Sequence, residues 1–131
     1  MFVRFISPRW DGCARSRAGF FRDAYELSRR DTVPDWQRHE LCDELRWFED
    51  HLAVPAILYR PTGHRQFRNG VCWFRDAARD CVSHARYIAW LLGENGVAID
   101  ELRTRDPGTT IWADEHQIVA LADRRRPRLL H

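Results

Sequence analysis

Apolar positions in this chain recur with two periods, and the switches between them predict the elements. "FVRFI" (2–6) alternates apolar and polar residues for part of its length and is rich in β-formers, so it reads as a first strand. Pro8 and Gly12 mark "SPRWDGCARSR" as a loop. From Phe20 to Arg30 the period lengthens, and Phe20, Ala24 and Leu27 fall on one helical face. A second helix is expected from Pro34, a residue suited to a first turn, with Thr32 or Val33 near its cap. Leu41, Leu45, Phe48 and Leu52 line one side of that helix, acids fill the other, and Pro55 lies just beyond it.

The segment 53–70 is the least regular. "AILY" suits a short edge strand, and the remainder, bracketed by Pro61, Gly63 and Gly70, reads as an exposed loop. "VCWF" (71–74) predicts an interior strand. Residues 76–95 form the longest helical pattern, with Ala78, Cys81, Val82, Ala85, Ile88, Ala89 and Leu92 in one stripe and Gly96 as the stop. "VAIDELRT" (97–104) reads as a strand and "DPG" as a turn. "TTIWAD" and "HQIVALA" read as two strands joined tightly through Asp114 and Glu115.

This order predicts an α+β fold: a two-layer sandwich with one mixed sheet of about five strands and three helices on one face. The passage from 71–74 through the long helix to 97–104 is expected to form a right-handed parallel βαβ unit. Residues 1–123 are read as a single domain and 124–131 as a basic tail.

Charge alters this picture through its distribution. All 21 basic residues are Arg, set against 19 acids. Residues 31–52 carry seven acids and two Arg, whereas residues 53–70 carry three Arg and no acid. Alternating blocks of opposite sign predict faces of opposite potential, which steer partners more than they set the fold. The opening residues do not read as a signal peptide, and no apolar run reaches membrane-span length, so the expected location is cytoplasmic, with reduced thiols and no membrane contact.

The stretches "MFVRFISPR", "VCWFRDAARDCV" and "LRTRDPGTTIWADEHQIVALA" resemble a group of short uncharacterised bacterial proteins with a strand-helix block I-C-W-F-[KR] and a closing hairpin Y-E-D-E-H-Q-V-V-A. The resemblance implies a coherent domain and no particular chemistry. Trp112-Ala113-Asp114 stands where that group has Tyr-Glu-Asp.

Few residues suggest catalysis. Cys72, with His116 or His84 as its base, is the weak candidate for a thiol enzyme. A small cysteine in an apolar strand is far more often a core residue, and Cys81 falls inside a helix's apolar stripe, so both thiols are expected to be buried and inert. His39 and Asp43 sit four apart on one helical face without a complete metal signature, and "DEHQ" (114–117) offers polar groups that a hairpin tip selects anyway. No metal or cofactor is implied.

Two surfaces suggest binding. Trp36 and Trp47 lie off the apolar stripe of the second helix among acids, as in a protein-binding patch or a homodimer contact, although both rings also suit the core margin. Arg60, Arg65 and Arg68, with Tyr59 and Phe67, suit a phosphate backbone and stacked bases. The expected function is accessory binding to a protein partner through the Trp36/Trp47 helix and the Arg60, Arg65 and Arg68 segment, with nucleic acid on that segment as the alternative and a Cys72-dependent enzyme as the second alternative.

Overall fold

The computed structural model describes residues 1–11, 16–55 and 70–121. The "AILY" segment, Arg60, Arg65, Arg68 and the 124–131 tail lie outside the described residues. The element order is β1 (Phe2–Asp11), β2 (Ser16–Gly19), α1 (Phe21–Ser28), α2 (Asp35–His51), β3 (Gly70–Arg75), α3 (Arg79–Glu94), β4 (Asp100–Thr104), β5 (Thr109–Ala113) and β6 (Gln117–Leu121). This is the expected α+β class, with three helices and one curled sheet among the described residues.

Two expectations need correction. The segment read as a loop after Ile6 continues β1 to Asp11 and turns back as β2. The β1–β2 ladder shifts register between Ile6 and Trp10, which accommodates Pro8, a residue without an amide hydrogen to contribute to a regular ladder. The sheet is also not mixed in its pairing: every described ladder is antiparallel. β3 and β4 do run in the same direction around α3, but they are not neighbours. β1 lies between them and is antiparallel to both, so the expected βαβ unit is split by the first strand. A crossover pattern shows that two strands flank a helix; it does not show which distant strand fills the gap.

β1 is the hub of the sheet. β4 pairs with it from Phe2 to Ile6 and occupies one edge. The other edge is shared by β3, paired only at Phe2–Arg75 and Val3–Phe74, and by β2, paired from Ile6 onward. β6 and β5 extend the sheet beyond β3. Strand alternation places Val3, Phe5, Cys72 and Phe74 on one face. Val3, Phe5 and Phe74 there enter the core with Leu27 of α1, Leu41, Leu45 and Phe48 of α2, and Ala85, Ile88, Leu91 and Leu92 of α3. Burying each large aliphatic side chain contributes about 1.5–3 kcal/mol.

The helix ends follow local chemistry. Pro34 caps α2 in an extended conformation. α3 starts at Arg79, later than Asp76, whose carboxylate sits 3.7 Å from the N-terminal ammonium. Gly96 ends α3 with φ +83, its amide donating to Gly93 O and the Val97 amide to Leu92 O, a Schellman closure. Asn95 Nδ2 donates to Gln37 Oε1 at 2.8 Å, so the end of α3 meets the start of α2 and the two helices run antiparallel. Arg9, within the register shift, clamps β1 to α1 through both Glu26 oxygens (3.0 and 2.6 Å) and Asp23 Oδ1 (3.2 Å).

Candidate functional site

The antiparallel contact of α2 and α3 builds a continuous outer surface from residues far apart in sequence. Trp36 and Glu40 are one turn apart on α2. Glu40 faces Tyr87 of α3; burial, then Glu40, then Glu44 push the Tyr87 phenol above its ordinary pKa. Tyr87 stacks on Trp90, centroids 5.8 Å apart and planes 13° from parallel. Trp36 is 54% exposed and Trp90 48%. Asp35, Asp43 and Glu94 are exposed on the same two helices. The surface therefore combines two wet indoles with a net negative charge.

Trp47, expected beside Trp36, has a different environment. It is half-buried against the core. His84 stacks on its ring at 3.9 Å and His51 at 4.4 Å between centroids. His51 Nδ1–H donates to Trp47 O at 2.7 Å, and His84 Nδ1 is hydrogen-bonded to Glu44. Tyr87, against Glu40 one turn from Trp36, and Trp90, stacked on Tyr87, are the aromatic residues that α3 brings to this surface. The signal for them was present: Trp90 lies off the α3 stripe as Trp36 lies off the α2 stripe.

The catalytic candidates are not brought together. Cys72 pairs with Val119 and shares its sheet face with Phe74 and Gln117. His116 follows the opposite parity, at the tip before β6, with Nε2 3.3 Å from Glu115 Oε1. His84 is engaged by Trp47 and Glu44. Cys72 is half-buried rather than fully buried, whereas Cys81 is buried and its thiol is pushed up by burial first, then by Asp80 and Asp114. In "DEHQ" the Asp114 carboxylate accepts the amides of His116 (2.8 Å) and Gln117 (2.9 Å), so it shapes the turn. His39 and Asp43 are exposed, and among the described residues no group of three metal-donor side chains converges.

A cavity of about 470 Å³ opens beside the short β1–β3 ladder, under the end of α2. Phe5, Phe20, Phe21, Phe48 and Phe74 supply rings, while Cys72, Tyr25 and Glu49 supply polar atoms. Tyr25 OH donates to Glu49 Oε1 at 2.6 Å. Burial above all, then the Glu49 hydrogen bond and charge, push this phenol up to about 12. Pro55 and Gly70, the residues that bound the undescribed stretch carrying Arg60, Arg65 and Arg68, both border the cavity.

No family model, no curated protein and no solved structure matches this chain.

Proposed function

We propose that this is a cytoplasmic protein-binding domain whose docking face is the α2–α3 surface around Trp36 and Trp90, and that its partner presents an arginine-rich segment. The observation that carries this reading is the Glu40–Tyr87 contact between α2 and α3, with Trp90 stacked on Tyr87 and Trp36 one turn from Glu40, which leaves two half-exposed indoles on helices rich in carboxylates. Trp is enriched among residues that dominate interface energy, and leaving two such rings in water is costly. Guanidinium groups stack on indole and pair with carboxylates, so one basic segment satisfies both features of the face. Among the described residues no helix is long and apolar enough to cross a membrane.

The test is titration of a labelled octa-arginine peptide into the protein at low and moderate salt, with sedimentation measured alongside. Binding that falls at least about tenfold in the Trp36→Ser/Trp90→Ser variant supports the proposal, since two interface Trp residues commonly carry that much or more. Equal binding by variant and parent sinks it. Self-association abolished by the same substitutions replaces the basic partner with a second copy of the chain.

Nucleic acid is the alternative partner. It rests on the three Arg and absence of acid in residues 53–70. The bacterial group whose I-C-W-F-[KR] block the stretch 71–75 resembles is the proposed kin of this chain.

A further inference from the structure

The cavity beside the β1–β3 ladder is separate from the docking face. At 100° per residue, Glu49 lies on the side of α2 opposite Glu40. The volume of about 470 Å³ falls within the range of small-molecule sites, and the walls are those of such a site: mostly apolar, with a few convergent polar groups. The polar groups have a direction. Tyr25 holds Glu49 by Oε1 at 2.6 Å, and among the described residues Oε2 has no partner. Tyr25 is an anchor for Glu49: its phenol keeps its proton through neutral pH because burial and Glu49 both resist its ionisation. Gln117 spends its amide nitrogen on Ala53 O at 2.6 Å, and Arg4, also on the wall, is engaged in an interaction of its own. A held carboxylate beside aromatic rings attracts a cation twice, by charge and by the negative faces of the rings.

We propose that this cavity binds an aromatic ammonium compound, its flat ring among Phe21, Phe48 and Phe74 and its protonated amine on Glu49. A neutral alcohol of the same shape keeps the apolar contacts and a hydroxyl donor to Glu49 but loses the ion pair. A carboxylate analogue meets Glu49 as a like charge.

Three probes of one shape separate these terms: tryptamine, tryptophol and indole-3-acetate, measured by calorimetry at neutral pH. Peptide-resolved alkylation of Cys72, which borders the cavity, locates the binding. Tryptamine is expected to bind at least about tenfold tighter than tryptophol, the difference between an ammonium and a neutral hydroxyl donating to the same carboxylate. Saturating tryptamine is expected to slow Cys72 alkylation. Glu49 is exposed, so Glu49→Gln should fold normally; it is expected to reduce tryptamine to the level of tryptophol while tryptophol still protects Cys72. The proposal is overturned by a preference smaller than tenfold, by tightest binding of indole-3-acetate, by a preference that survives Glu49→Gln, or by unchanged Cys72 alkylation with all three probes.

Discussion

Trp47 and His84 stack face to face, ring centroids 3.9 Å apart and planes 25° from parallel. The contact joins α2 to α3 and turns a residue with an exposed sequence signature into part of the core margin. Trp47 and Trp36 should therefore respond differently to substitution. Trp47→Ala is expected to lower stability by about 3 kcal/mol, the low end for deleting a large buried ring, because it strands two imidazoles and opens a void. Trp36→Ala should stay within about 0.5 kcal/mol. Urea denaturation of the two variants checks this; equal small losses would place Trp47 outside the core.

The stability of the domain should depend on pH at both ends of the scale. Glu26 is held below its ordinary carboxylate value chiefly by its hydrogen bond to Arg9, and Glu101 chiefly by its hydrogen bond to Arg86. A folded pKa below the unfolded one means the unfolded chain binds the proton more readily. This contribution is complete above the ordinary value of 4.5 and is lost as pH falls through the lower folded values. Tyr25 works in the opposite sense: its contribution is complete below 10.0 and is lost as pH rises toward about 12. Thermal unfolding against pH should show both declines, with Arg86→Met weakening the acid one and Tyr25→Phe the alkaline one.

Thiol reactivity should rank Cys42 above Cys72 and Cys72 above Cys81. Cys42 is exposed, Cys72 half-buried at the cavity and Cys81 buried with its thiol pushed up. The attacking species is the thiolate, so burial slows Cys81 both by hiding the sulfur and by keeping it protonated. Timed alkylation read by peptide mass spectrometry gives the order directly. Modification of Cys72 in the native protein as fast as in the unfolded chain would revive the case for a reactive thiol.

The arginines of residues 60–68 provide the test for nucleic acid. Replacing Arg65 and Arg68 with Ala should flatten the log-log salt dependence of duplex binding by about one unit for each phosphate contact removed. Stability should change by less than about 0.5 kcal/mol. Salt-independent or absent binding by the parent protein at low ionic strength removes the nucleic-acid alternative.

Much of the local structure was legible because it depends on residues two to four positions apart. The inward stripes of α2 and α3 followed from helical spacing, the end of α3 from a glycine able to take φ +83, and the β5–β6 turn from a carboxylate placed to accept nearby amides. The continuation of β1 to Asp11 was not legible, since Pro8 signals a break locally and only the ladder to β2, with its register shift, tolerates it.

The candidate surfaces belong to longer range. Trp36 could be suspected from its place off the α2 stripe, but which α3 residues reach the α2 surface depended on which end of α3 packs beside α2, and so on the Gln37–Asn95 contact. The Tyr25–Glu49 pair spans two helices, and the cavity exists because β1 pairs with β3 for only two residues while β4 and β2 take the rest of its length. Periodicity states which side of an element avoids water. It carries no information about which distant element covers that side, because several partners would bury the same apolar stripe, and the choice among them is made by all the contacts of the folded chain together.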